Sequence, residues 1–159
     1  MNLVNSILIQ RTPAIVWGFL ESPEKMLLWN PNVKQVTPSV FSDPKQGYRY
    51  DVTYKLLRSS DEFEFQAEFI HFEPFKKLVI RHTERIATPL NRVIVETYEL
   101  AERVGGTQVT QSIDVTTPGV NIFLRTLLRI LLKSAEPTSN FYLEALRNTI
   151  LNGTEPDAV

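Results

Sequence analysis

The chain has no cysteine. That absence excludes disulfide frameworks, thiolate zinc sites and cysteine nucleophiles. It also fits a reducing compartment, so a cytoplasmic location is expected. Histidine is nearly as scarce, with only His71 and His82 among 159 residues. Two imidazoles without a third ligand at a diagnostic spacing do not make a metal centre, and no metal or other cofactor is expected. Charge of one sign is lacking too: 17 Lys and Arg against 18 Asp and Glu leave a formal charge of −1. Such a balance gives no field for neutralising a nucleic-acid backbone, so no nucleic-acid partner is expected. No uninterrupted apolar run reaches the roughly 18 residues of a membrane span. Residues 1–11 lack the basic and apolar regions of a secretion signal, so neither stable membrane insertion nor export is expected. A Gly-rich phosphate loop, a G-x-S-x-G elbow and an H-E-x-x-H pair are all missing, which argues against nucleotide-dependent, serine-hydrolase and zinc-protease chemistry.

What is present is an ordinary globular composition, 43% apolar and 22% charged, on a chain of one-domain length. One domain is expected over residues 1–153, with 154–159 as a frayed tail. Leu3 to Gln10 is rich in β-formers. Thr12 then reads as an N-cap with Pro13 at the first helical position, where a missing N–H costs nothing. Ile15, Val16, Phe19 and Leu20 follow at helical spacing, and Ser22-Pro23-Glu24 starts a second short helix. From Val33 to Thr116 the period is two. Tyr48, Tyr50, Val52, Tyr54 and Leu56 share one face of a strand, as do Phe63, Phe65, Ala67, Phe69 and His71 of the next, and Leu78, Ile80 and His82 of the one after. Gly105-Gly106 joins the final pair. Val120 to Leu151 reads as one long helix, apolar nearly all round at first, with a basic stripe of Arg125, Arg129 and Lys133 and a kink at Pro137. The predicted order is one strand, two short helices, six strands and a long helix, and that helix is the element able to cover the apolar face of the sheet.

This order resembles the helix-grip fold of the START-related, birch-pollen-allergen-like superfamily (SRPBCC), in particular its polyketide cyclase/dehydrase-like branch. Three segments carry the resemblance: Thr12-Pro13-Ala14-Ile15-Val16-Trp17, Trp29-Asn30-Pro31-Asn32-Val33, and the hairpin from Tyr98-Glu99-Leu100 to Gly105-Gly106-Thr107-Gln108-Val109-Thr110. The resemblance implies an α+β fold in which a curved antiparallel sheet of about seven strands wraps a C-terminal helix. It also implies a cavity between them for a hydrophobic small molecule such as a lipid, sterol or polyketide. It transfers no catalytic residue set.

The candidate ligand-binding residues are Tyr50, Tyr54, Phe65, Phe69, His71, Ile80 and His82, all on the inferred inner face. Tyrosine hydroxyls and imidazoles in an apolar pocket orient a polar head, and aromatic rings form its wall. The leading expectation is binding or transport without catalysis. An alternative is a cyclase or dehydratase using His71, His82 and Tyr54 as acid–base groups. A third is a non-enzymatic interaction module, in which an exposed apolar helix face makes a homodimer or binds a partner. Glu84, in phase with His82, is expected to be exposed because it sits near a strand end. Trp29 is expected to anchor packing under the following strand.

Overall fold

The computed structural model describes residues 2–38, 43–55, 62–86, 91–116 and 140–153. Strand β1 (Asn2–Ile9) leads to helix α1 (Pro13–Leu20), a 3₁₀ turn (Pro23–Lys25) and the short helix α2 (Met26–Trp29). Six strands follow: β2 (Val33–Pro38), β3 (Arg49–Lys55), β4 (Glu62–Glu73), β5 (Lys77–Glu84), β6 (Val93–Arg103) and β7 (Gly106–Thr116). Helix α3 (Phe141–Gly153) is the C-terminal helix. The basic stripe, the Pro137 kink, Leu56 and the tail at 154–159 lie outside the described residues.

The strands form one antiparallel sheet in the order β1-β7-β6-β5-β4-β3-β2. From β2 to β7 each strand pairs with its sequence neighbour. β1 closes the other side on β7, with Asn2 opposite Asp114 and Ile9 opposite Thr107. This is the helix-grip fold. Its inner face follows the period-two pattern: Tyr50, Ala67, Phe69, Leu78 and Val109 are fully buried there. Leu143, Leu146 and Ile150 of α3 and Val16 of α1 are as completely enclosed in the same core. Trp17 packs edge-on to Phe72 at 5.2 Å and donates its indole N–H to Glu21 at 2.7 Å. Trp29 is buried in the core. The outer face carries cross-strand ion pairs, among them Arg81–Glu68 at 2.9 Å and Lys77–Glu99 at 2.9 Å. In solvent these fix register more than they add stability.

Helix α1 begins where the sequence places it. Thr12 is extended, and its carbonyl accepts the Val16 N–H at 3.2 Å, although its hydroxyl makes no cap bond. The β6–β7 connection is the two residues Val104 and Gly105. Gly106 then passes so close to the end of β1 that a Cβ would sit 2.1 Å from the Ile9 carbonyl oxygen. Backbone cannot yield as a side-chain tip can. A Gly106→Ala substitution is expected to cost about 1–2 kcal/mol, read as a lower midpoint in urea with an unchanged slope.

One expectation fails at a single residue. The β4–β5 register slips between Phe69 and His71, leaving Ile70 as the extra residue of a β-bulge. Phase inverts beyond it. Phe72 turns inward to stack on Phe69 at 5.9 Å. His71 turns outward, its side chain 47% exposed and 3.8 Å from Glu73.

Candidate functional site

Three adjacent strands each send a polar side chain to the inner face. His82 comes from β5, Glu96 from β6 and Gln111 from β7. Register explains their meeting. Ile80 lies opposite Glu96 and His82 opposite Ile94, so His82 and Glu96 are diagonal neighbours. Gln111 lies directly opposite Tyr98, diagonal to Glu96 on the other side. All four side chains are buried.

The carboxylate of Glu96 organises this group. Its Oε1 accepts the Tyr98 hydroxyl at 2.5 Å and the Gln111 amide Nε2 at 2.6 Å. Gln111 Nε2 also donates to the Tyr98 oxygen at 3.1 Å. Oε2 lies 3.4 Å from His82 Nε2, within reach of charge attraction but without hydrogen-bond alignment. Burial pushes the Glu96 pKa up, but His82, Tyr98 and Gln111 outweigh it and hold the carboxyl below its ordinary 4.5. The group is therefore an anion inside the protein. Gln111 Oε1, both ring nitrogens of His82 and Asn32 Oδ1 are buried without a hydrogen-bond partner among the described residues.

Beside this group is a cavity of about 200 Å³. Tyr54, Phe63, Phe65, Ile94 and Ile113 supply its apolar wall, and His82, Glu96 and Gln111 its polar patch. Asn32 and Tyr142 bring the α2–β2 turn and α3 to the rim, joined by an Asn32 Nδ2 to Tyr142 hydroxyl bond of 2.5 Å. Arg92 completes the wall with its guanidinium 4.5 Å from the Phe63 ring centroid. That cation is already engaged: Arg92 Nε donates to Glu84 at 3.1 Å and its backbone N–H at 2.7 Å.

Of the residues singled out from sequence, Tyr54, Phe65 and His82 come together on this wall, with Tyr54 and Phe65 rings 5.8 Å apart and Tyr54 6.0 Å from His82. Tyr50, Phe69 and Ile80 face inward but are sealed in solid core among the described residues and do not line the cavity. His71 is on the opposite face of the sheet, so the two histidines do not share a pocket. Glu84 is the second correction: its side chain is only 3% exposed, because Arg92 covers it. Sequence reading missed Glu96, Gln111, Asn32 and Arg92. For the first two a signal existed, since Glu96 is in phase with Ile94, Tyr98 and Leu100, and Gln111 with Val109 and Ile113.

Burial has a further electrostatic effect. All five tyrosines have pKa values above the ordinary 10.0. Burial is the main cause in each; the Glu96 charge adds to it for Tyr50, Tyr54, Tyr98 and Tyr142, and that of Glu24 for Tyr48. Folding thus favours the neutral phenol. This contribution is whole below pH 10.0 and is lost as pH rises from there through the folded-state values. An alkaline titration followed by tyrosinate absorbance should show no phenol ionising at its ordinary value in the native state. A cooperative jump should follow, coincident with loss of circular dichroism; five independent transitions near pH 10.0 would contradict this.

Among the described residues, no helix is long and apolar enough to cross a membrane, and no three His, Asp or Glu side chains gather to hold a metal ion. Residues 2–147 match the family described as polyketide cyclase / dehydrase and lipid transport. No curated protein matches the chain at a significant level. Several solved structures share the fold. The Mesorhizobium loti protein MLL2253 is 18% identical with a TM-score of 0.67, the alignment covering 98% of this chain and 100% of that one. TTHA0849 from Thermus thermophilus is 12% identical with a TM-score of 0.71, over 98% and 100% of the two chains. Ara h 8.0201 is 11% identical with a TM-score of 0.65, over 96% and 98%. At these identities the likeness is one of fold.

Proposed function

From the premise that this chain belongs to the polyketide cyclase / dehydrase and lipid transport family, we propose that it binds a small, mainly apolar molecule non-covalently in the cavity between sheet and helix. One observation carries this reading: an aromatic and aliphatic wall converges on a few buried polar groups, three of which (Asn32, His82 and Gln111) carry atoms with no protein partner among the described residues. Apolar area gives such a site affinity, and a small number of fixed polar atoms gives it orientation. Tyr54, Phe65 and His82 contact the ligand. Native mass spectrometry after incubation with a panel of fatty acids, sterols and aromatic polyketides tests the proposal. Added mass from at least one class, reduced by Phe65→Ala, is expected; a protein that takes up none of them has another function.

A second reading is acid–base catalysis, favoured by the approach of His82 Nε2 to Glu96. A carboxylate that orients an imidazole frees the other ring nitrogen to take a proton from a bound molecule. Tyr54 stands on the same wall as a proton donor. His71 drops out of this version, being on the far face. A β-hydroxy ketone incubated with the protein would then lose water, and His82→Gln would stop it. An unchanged ketone eliminates the dehydratase form.

A further inference from the structure

We infer that the polar end of the cavity selects a ligand that donates a hydrogen bond, a neutral alcohol or phenol, and rejects one that ends in a carboxylate. This rests on the binding reading above and narrows its ligand class. The polarity of the wall follows from atoms whose orientation is fixed. The Gln111 amide cannot be turned over, because its Nε2 donates to the Glu96 carboxylate at 2.6 Å, and an amide oxygen in that place would face an anion. Its Oε1 is therefore the free end, an acceptor on a residue only 2% exposed and with no protein partner among the described residues. Both ring nitrogens of His82 are buried without a hydrogen-bond partner among the described residues, so the imidazole can donate or accept and does not set the polarity. Glu96, whose Oε1 takes two donated hydrogen bonds as a carboxylate does, lines the same wall.

The cation of the wall does not offset this. Arg92 is held by Glu84 through its backbone N–H and its guanidinium, and its face is stacked over Phe63. An anionic ligand would have to displace Glu84 and leave a buried carboxylate unpaired. The Tyr54 and Tyr142 hydroxyls serve donors and acceptors alike, so they do not decide the polarity. A ligand carboxylate at the polar end would sit beside Glu96 among Tyr54, Phe65 and Ile94, where little water screens the repulsion. A ligand hydroxyl instead gives its proton to Gln111 Oε1 and satisfies an atom whose unpaired burial is costly.

Matched probes test this by calorimetry at neutral pH: naphthol against naphthoate, and octanol against octanoate. The alcohols are expected to bind at least about tenfold more tightly than the acids, the discrimination that like charge imposes in a desolvated site. In Glu96→Gln, checked for folding by circular dichroism, the acids should gain severalfold and the alcohols change little, so the gap narrows. Should that variant not fold, the wild-type pairs decide by themselves. Acids that bind the wild type as well as the alcohols, or better, overturn the inference while leaving the binding function standing. Failure of all four probes also overturns the inference, and the panel of fatty acids, sterols and polyketides then decides the binding function by itself.

Discussion

A Gln111→Leu variant is expected to lose about 3 kcal/mol of stability at neutral pH and to recover most of that deficit in acid. The leucine fills similar space but withdraws two donated hydrogen bonds, one to the Glu96 carboxylate and one to the Tyr98 oxygen. In the wild type Glu96 titrates below its ordinary 4.5, so its contribution is present above that value and lost as pH falls through the folded-state pKa. Without Gln111, burial meets less opposition and the pKa of the same group moves up. The two proteins then differ most where both carry an ionised Glu96. The difference shrinks as pH falls, first through the raised value of the variant and then through the depressed value of the wild type. Urea midpoints across this range measure it. A deficit independent of pH would mean that Gln111 acts through packing and not through the carboxylate.

Phe69→Ala is expected to cost about 3–5 kcal/mol, a large part of the stability of a domain this size. Phe69 is completely buried, with ring centroids of Tyr48 at 5.5 Å, Tyr50 at 5.9 Å and Phe72 at 5.9 Å. Its removal opens a void lined by rigid rings that cannot collapse into it. The melting temperature should fall by roughly 10 °C or more. Because Phe69 does not line the cavity, affinity for a cavity ligand measured well below the melting temperature should be nearly unchanged. Phe63→Ala should behave oppositely. Phe63 is half-buried, lines the cavity and supports Arg92, so its loss should weaken binding more than folding.

The contrast between these two phenylalanines also marks how far the sequence can be read. Alternation identifies both as inward-facing and locates the strands, while start signals and helical spacing locate the two short helices and Gly105-Gly106 the hairpin. It cannot say which inward residues meet a helix and which meet open space, so it groups Tyr50, Phe69 and Ile80 with Tyr54 and Phe65. The bulge at Ile70 left no mark in residue type. One extra residue exchanges the faces of everything beyond it, and His71 went with them. A position near a strand end predicts an exposed Glu84, and nothing in the local pattern tells that Arg92, eight positions on, covers it. Asn32 was legible as a turn residue, but its role at the rim depends on Tyr142, 110 positions away. Glu96 and Gln111 were within reach: a carboxylate and an amide in an apolar phase are the sequence-level trace of a buried polar site.

The pairing of β1 with β7 bears on how the chain reaches this state. Ser6 and Thr110, joined across those strands, are 104 positions apart. During synthesis at 5–20 residues per second, β1 therefore waits roughly 5–20 s for its partner. The strands from β2 to β7 can zip in sequence as hairpins, each closing a short loop, whereas β1 must hold its place until the last of them exists. Throughout that interval Leu3, Ile7 and Ile9 have no sheet to join, and the same segment offers Val4 and Leu8 on its other side. The first strand made is the last to be secured, and a nascent chain stopped before Gly106 would present it as a sticky, unpaired edge.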